Sequence, residues 1–204
     1  MCVIQANHPQ HRHFESNVAD TSRFKLASRQ GPLQPTGKDI EGPFYRPNPP
    51  EGSELCPADQ PGEKLILSGQ VTDTFGNSIE GARVDVWQAD KDGNYDVANP
   101  DDNNNPDIPY QFRRWQSAGS EGDFSFDTIR PGHYQIGENR WRTGHIHVKV
   151  SAEGFRPLTT QLYFEGDSHN VTNGWFSPDR VVKETKLDNG WTSARFNIVL
   201  PKVD

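Results

Sequence analysis

The chain has few of the features that would indicate a disulfide scaffold, a membrane span or a nucleic-acid surface. Its 204 residues include only two cysteines, Cys2 and Cys56, too few for a disulfide framework; they either pair with each other or remain free thiols. No run of 18 apolar residues occurs, so we expect no membrane association. The net charge of −7 and the lack of a basic stripe argue against nucleic acid. A small organic partner is compatible with this composition.

The first part of the chain is polar and has no hydrophobic periodicity. Residues 1–38 include His8, His11 and His13 and predict an N-terminal arm that is extended or poorly ordered, with solvated histidines. The segment also lacks the apolar core of a secretory signal, so we expect a cytoplasmic protein, although a secreted form whose signal has been removed stays open. Residues 39–204 are expected to form one domain.

The remaining sequence favours an all-β fold. Hydrophobic residues make up 32% of the chain, and 18 glycines and 16 prolines separate short alternating segments. This rhythm predicts a single β-sandwich, prealbumin-like, with long connecting loops. The predicted strands are 64–73, 82–90, 123–128, 133–137, 145–151, 159–164 and 193–200.

Two other segments carry local predictions. The polar stretch 96–118 predicts a long connection, and loops of that length are usually functional or disordered. Its Arg113 and Arg114 could bind a carboxylate on a substrate, although arginines in a loop are more often solvated. Ser177 followed by Pro178 predicts the start of a helix.

Two histidines stand two positions apart in the stretch RWRTGHIHVKV. A strand has a period of two, so His145 and His147 lie on one face with Cα atoms roughly 6.6 Å apart, close enough to bind one metal ion. Ile146 and Val148 make the other face apolar, as in any half-buried strand. The pattern alone leaves a metal site and an ordinary strand both open.

Two tyrosines occupy positions where a β scaffold often exposes functional side chains. Tyr95 closes the stretch WQADKDGNY just after a strand, and Tyr134 follows the tight turn in IRPGH. Each could equally be a half-buried tyrosine with a hydrogen-bonded hydroxyl.

Five motifs, taken together, resemble the intradiol ring-cleavage dioxygenases. They are IEGPFY (40–45), GARVDVWQADKDGNY (81–95), FSFDTIRPGHY (124–134), WRTGHIH (141–147) and TQLYFEGD (160–167). The resemblance runs from about residue 40 to about residue 200. It implies an oxidoreductase that opens catechol or a substituted catechol between its hydroxyls with O₂, through a cyclic anhydride, to a cis,cis-muconate-type diacid.

The resemblance also implies a cofactor and its ligands. One non-haem Fe(III) per chain would be held by Tyr95, Tyr134, His145 and His147, with Tyr134 and His147 axial. Phenolates are hard anionic ligands that suit Fe(III), and imidazole suits iron as well. Tyr110 and Tyr163 rank below Tyr95 and Tyr134 as phenolate ligands, and Tyr45 would be a pocket wall.

Three residues are implied to act in the reaction itself. The Tyr134 phenolate would leave the metal and take a proton from the substrate. Arg142 would stabilise charge that develops on the ring, and Gln161 would assist by hydrogen bonding. From the sequence alone, Arg142 could instead be a surface residue, and Gln161 could lie on the solvent face of a strand.

Substrate choice and assembly are less defined. The family's larger members have a helical N-terminal region that forty polar residues cannot supply, and its protocatechuate members assemble two related chains, one of which lacks the iron ligands. This chain has all four ligand positions, so the resemblance implies that it acts on a small catecholic molecule either alone, as a monomer or a homo-oligomer, or as the iron-bearing partner of a second chain. Two alternatives remain at this point: a zinc or copper enzyme built on His-x-His, and a non-catalytic prealbumin-like binding module.

Overall fold

The computed structural model describes residues 31–203, whose framework is a set of short strands. Pro100–Asp102 and Pro178–Arg180 form 3₁₀ turns, and these described residues contain no α-helix. In chain order the strands are β1 (Lys64–Asp73), β2 (Arg83–Gln88), β3 (Arg113–Ser117), β4 (Asp123–Ile129), β5 (Tyr134–Gly137), β6 (Arg140–Arg142), β7 (His145–Ser151), β8 (Leu158–Tyr163), β9 (Lys183–Lys186), β10 (Thr192–Arg195) and β11 (Ile198–Leu200).

Nine of these strands build two sheets, and β5 and β6 form a separate hairpin. In the first sheet β1 pairs antiparallel with β4 on one side and parallel with β10 and β11 on the other, and β9 adds to β10. The second sheet is antiparallel in the order β3-β2-β7-β8. The all-β sandwich predicted from the sequence is confirmed.

The core lies between the two sheets and follows the alternation of the strands. Leu65, Leu67 and Val71 of β1 face Val84 and Val86 of β2 within one buried cluster. Because successive side chains of a strand point to opposite faces, each core residue of the second sheet is followed by one that faces away from the core. That outer face is where polar and aromatic residues gather. Other cluster members are Phe124, Phe126, Ile146, Val148, Val150, Leu158, Leu162, Ala194, Ile198 and Leu200.

The predicted strand 193–200 is in fact two strands, and Gly69 shows why. At Phe196 the chain bulges toward β1, so a Cβ atom built on Gly69 would lie 1.8 Å from the Phe196 carbonyl oxygen. The Phe196 N–H still donates to the Ser68 carbonyl, which keeps the chain beside β1 across the break. Only glycine allows two backbones to approach so closely.

Two other local predictions are corrected. The segment 96–118 is not all loop, because its end forms β3, which pairs with β2 as an edge strand. Ser177 does not begin an α-helix: its hydroxyl donates to the Asp179 carboxylate, and only one 3₁₀ turn follows. Strands β6 and β9, of three and four residues, were too short and too polar to stand out in the sequence.

The start of the described chain lies along the sandwich. The Leu33 N–H donates to the Thr74 carbonyl and the Thr36 N–H to the Val199 carbonyl. Cys56 is half-buried, whereas Cys2 and the three N-terminal histidines fall outside the described residues, as does most of the predicted arm. No helix within 31–203 is long and apolar enough to cross a membrane.

Candidate metal centre

The candidate site lies on the outer face of the second sheet. Trp87 of β2, His147 of β7 and Gln161 of β8 stand side by side in the register of the three strands. The next outward pair is His145 and Tyr163. The alternation that sends Ile146 into the core therefore places both histidines outward, as the His-x-His spacing predicts.

Three of the four candidate ligands converge on one point. The Tyr95 hydroxyl oxygen lies 3.1 Å from Nε2 of His147 and 3.5 Å from Nε2 of His145. The two Nε2 atoms are 3.1 Å apart. The Tyr134 ring is the fourth neighbour, with its centroid 5.9 Å from those of both Tyr95 and His145.

Nε2 of each imidazole faces the convergence point, and the surroundings of both rings favour the neutral form. Nδ1 of His145 donates to the Thr143 carbonyl at 2.7 Å, so its Nε2 carries the lone pair. Burial and the nearby Arg142 charge lower the pKa of His145 to about 3. Burial and His145 lower the pKa of His147 well below its ordinary value. This is the protonation state that metal coordination requires.

The grouped nitrogen and oxygen atoms would be better satisfied by a metal cation than by hydrogen bonds to one another. Nδ1 of His147 is buried and has no hydrogen-bond partner among the described residues, so the protein does not fully satisfy this imidazole. Burial, followed by the neighbouring Tyr134, holds the pKa of Tyr95 well above its ordinary value, and burial also raises the pKa of Tyr134. A phenolate here needs an adjacent positive charge, which a hard trivalent cation supplies.

Glycines bring the three ligand-bearing segments together. A Cβ on Gly93 would lie 2.4 Å from the His133 carbonyl oxygen, and one on Gly132 would lie 2.2 Å from the Lys91 carbonyl oxygen. A Cβ on Gly144 would lie 2.4 Å from the Pro131 carbonyl oxygen. The segments ending at Tyr95, Tyr134 and His145 therefore meet backbone to backbone.

Arg142 joins the site through the β5–β6 hairpin, where it pairs directly with Tyr134. The side chain is 4% exposed, so the surface alternative for this residue is wrong. Its Nη2 donates to Oε1 of Gln161 and lies 3.4 Å from Nε2 of His145. Its guanidinium carbon lies 4.5 Å from the ring centroid of Trp175, and its Nε has no partner within the described part of the chain.

Gln161 is fully buried, which corrects the solvent-facing alternative. Its Nε2 donates to the Ile40 carbonyl at 2.9 Å, so its Oε1 is turned toward Arg142. The Tyr163 hydroxyl lies 3.2 Å from the same Oε1 and 3.0 Å from an Asp39 carboxylate oxygen. Tyr163 therefore supports Gln161 from behind and is not placed as a ligand.

The other residues raised by the sequence lie away from the convergence point. The Tyr110 hydroxyl donates to the Pro47 carbonyl, and Tyr45 packs edge-on against Trp87. Arg113 is 1% exposed and binds the Asp96 carboxylate, so the expectation that it is solvated is wrong. Arg114 instead turns back to donate to the Arg113 carbonyl.

Sequence reasoning missed three aromatic neighbours of the site. Trp87 stacks on His147 with ring centroids 4.7 Å apart, and Phe44 stacks on Tyr95 at 4.5 Å. Trp175 covers Arg142. Alternation in β2 could have placed Trp87 on the outer face opposite Val84 and Val86, whereas Phe44 and Trp175 lie in irregular segments with no such signal.

A metal site with four protein ligands would need the two tyrosines. Across residues 31–203 no group of three or more His, Cys, Asp or Glu side chains is placed to hold a metal. The site contains only two such residues, so two phenols are needed to complete a four-ligand set.

Comparison with known proteins points in one direction. A family model described as "Dioxygenase" matches residues 40–200. Chlorocatechol 1,2-dioxygenase of Rhodococcus opacus is 34% identical over 193 residues, covering 81% of this chain and 72% of that protein. Hydroxyquinol 1,2-dioxygenase of Nocardioides simplex is 31% identical over 195 residues, with 81% and 64% covered.

Solved structures agree with the sequence relatives. The dioxygenase domain of a dioxygenase carbohydrate-binding protein fusion from Streptomyces sp. SirexAA-E superposes with a TM-score of 0.72 at 34% identity, covering 83% of this chain and all of that one. The 3-chlorocatechol 1,2-dioxygenase of Rhodococcus opacus gives a TM-score of 0.74 at 30% identity, with 82% and 73% covered.

Proposed function

The chain belongs to the intradiol ring-cleavage dioxygenase family, and on that premise we propose that it opens a catechol or substituted catechol between the two hydroxyls with O₂, giving a cis,cis-muconate-type diacid. The observation that carries the proposal is the convergence of the Tyr95 oxygen with Nε2 of His145 and His147. Family membership argues against both alternatives, a non-catalytic binding module and a zinc or copper enzyme.

The four residues Tyr95, Tyr134, His145 and His147 would hold one non-haem Fe(III). Two neutral imidazoles and two phenolates form a mixed N₂O₂ set that suits ferric iron. When bound, the metal would supply a Lewis acid that holds the catechol oxygens and favours their deprotonation, and a deprotonated catechol ring is electron-rich enough at carbon to react with O₂.

Tyr134 is the ligand best suited to move a proton. It begins β5 and is only half-buried, whereas both histidines are buried. Its phenolate oxygen would take a proton from the incoming catechol, and burial raises its pKa so that the proton is retained.

Arg142 would act on the substrate rather than on the metal. Its Nε is buried without a protein partner in the described residues, so one N–H remains free for a substrate oxygen. Gln161 and Trp175 fix the guanidinium on its remaining sides. A fixed cation aimed at developing negative charge lowers the barrier of such a step, because its orientation is already set before the reaction.

The substrate class is a small catecholic molecule, together with O₂. Named relatives act on chlorocatechol, hydroxyquinol and catechol, and the choice among ring substituents is open for this chain. Action as a monomer or homo-oligomer and a cytoplasmic location belong to the same proposal.

The first test is a visible absorption spectrum of the purified protein with an iron assay on the same sample. We expect a red-brown phenolate-to-Fe(III) band that shifts when catechol is added without oxygen. Admitting O₂ should then release a muconate-type product. A colourless, inactive protein after iron reconstitution would refute the proposal.

Variants test the ligand assignment in the same assay. The double variant Tyr134→Phe with His147→Ala should lose the band and turnover. Tyr110→Phe is the matched control, because its hydroxyl contacts only the Pro47 carbonyl in the described chain, and it should retain both. Full iron and turnover in the double variant would overturn the assignment.

A further inference from the structure

We propose that Asp96 and Arg113 are positioning residues that fix the orientation of Tyr95 and set the electrostatic potential at its phenolate oxygen. This inference rests on the proposed function, because it concerns Tyr95 as a ligand of iron. The pair, together with Arg46, is called here the Asp96 clamp.

The clamp is attached directly to Tyr95 along the chain. Asp96 is the next residue, and its carboxylate is 1% exposed. It accepts from Nε and Nη2 of Arg113 and from Nη1 of Arg46. A carboxylate held by a two-pronged guanidinium has little rotational freedom, so the backbone that carries Tyr95 is fixed at one end.

The same arginine also controls the ring that covers Tyr95. Nη1 of Arg113 donates to the Phe44 carbonyl at 2.9 Å, and the Phe44 ring stacks on Tyr95 with an interplanar angle of 14°. Arg113 therefore links the chain segment after Tyr95 to the aromatic residue stacked against it. Rotation of the Tyr95 ring would require movement of Phe44 or of the clamp.

Arg46 extends the clamp across the long connection that follows Tyr95. Its guanidinium donates to the carbonyls of Asn103, Asn105 and Ile108, at 2.9–3.1 Å. These bonds fold the polar segment 96–112 back against the site. Without these hydrogen bonds, Tyr95 would be attached to a flexible loop.

Charge distinguishes the clamp from a simple structural support. Two buried arginines surround one carboxylate, which leaves a surplus of one positive charge beside a residue that must act as an anion. Burying three charges costs free energy, and apolar side chains could hold the loop in place at a lower cost. The charges therefore point to a role beyond structural support. Partners behind a metal ligand tune its strength as well as its position.

The test measures the phenolate-to-Fe(III) band of iron-loaded variants. Asp96→Asn removes a negative charge, so the more positive surroundings should stabilise the Tyr95 phenolate and move the band to shorter wavelength. Arg113→Met removes a positive charge and should move it to longer wavelength. We expect both to lower kcat or iron affinity about 10- to 100-fold.

Controls separate positioning from folding. Asp85→Asn breaks an Arg–Asp pair on the same sheet face, with Arg83, and should leave band and kcat unchanged. Arg113→Lys keeps the charge without the two-pronged contact, so its band should stay near the wild-type wavelength while kcat falls. Limited proteolysis of the iron-free variants reports whether 96–112 has loosened.

The outcomes are distinct. Opposite band shifts in Asp96→Asn and Arg113→Met support the clamp, and folded, iron-loaded variants with a wild-type band and kcat overturn it. If neither variant binds iron, a wild-type kcat in Arg113→Lys overturns it as well. A wild-type protein without any band refutes the proposed function instead.

Discussion

Arg142 is the single residue whose role is most clearly read from its contacts. It is buried, held by Gln161 and Trp175, and it lies near His145 without being placed as a ligand. Under the proposed function, a negatively charged group of the substrate would bind at the Arg142 Nε, which has no hydrogen-bond partner in the described chain.

We expect Arg142→Leu to lower kcat about 10²- to 10³-fold while iron content and the visible band persist, because the lost interaction is made mainly during the reaction. Steady-state oxygen uptake with an iron assay measures this. Arg140→Leu, exposed in the same strand, is the control and should leave kcat unchanged. Loss of iron in Arg142→Leu would indicate a structural role instead.

The candidate ligand residues are accessible to sequence reasoning because their signals are local. Strand alternation puts His145 and His147 on one face, and motif resemblance supplies Tyr95 and Tyr134, which the structure brings together with them. The sequence predicts a solvated Arg113 because its partner, Asp96, lies 17 residues away and the ion pair exists only after folding. No periodicity reports a contact of that kind.

Among elements, the close backbone approaches at Gly93, Gly132 and Gly144 set the geometry of the site. Each brings a carbonyl of another segment to within the space that a Cβ would occupy. The result is that loops, and not only strands, hold the candidate ligands at defined distances.

Gly93→Ala should therefore lower the unfolding free energy by more than the substitution of a left-handed glycine normally does. Gly154→Ala is the matched control, because its φ of +79° resembles the +85° of Gly93 but its Cβ would meet nothing within 4 Å. We expect the control to lose about 1 kcal/mol of unfolding free energy, the ordinary cost of that conformation. Gly93→Ala should lose more and bind iron poorly. Urea unfolding of the iron-free proteins checks this, and equal losses would contradict it.

Long strands with regular alternation are predictable from the sequence, whereas a break within a strand and a poorly alternating edge strand are not. The sequence 193–200 has continuous β character, and its break depends on Gly69 in a distant strand. The stretch RRWQS of β3 alternates poorly and by itself favours a loop, and pairing with β2 makes it a strand. In both cases long-range contacts override local preference.

At the scale of the whole molecule, the two faces of the second sheet have different roles, one in stability and the other in the candidate site. One face packs into the core, and the other carries the candidate metal centre. Neighbouring residues of β7 therefore serve different purposes, and substitutions at adjacent positions should have different consequences.

Ile146→Ala should lower the unfolding free energy of the iron-free protein by about 2–5 kcal/mol while the folded fraction still binds iron, since Ile146 is fully buried in the core. His147→Leu should change it by less than about 1.5 kcal/mol and abolish the visible band, because it removes a polar group with an unpartnered nitrogen. Urea titration and spectroscopy test both variants. The reverse pattern would contradict the division between the two faces.

The parallel pairing of β1 with β10 and β11 also determines when the sandwich can be completed. During translation β1 is synthesised before its partner strands, and β4 can pair with one of its edges soon afterwards. The other edge, with its free N–H and carbonyl groups, stays open until residues 192–200 have been synthesised. Closure of the first sheet therefore waits for the synthesis of β10 and β11, and the candidate iron site is supported by a complete core only once these strands are in place.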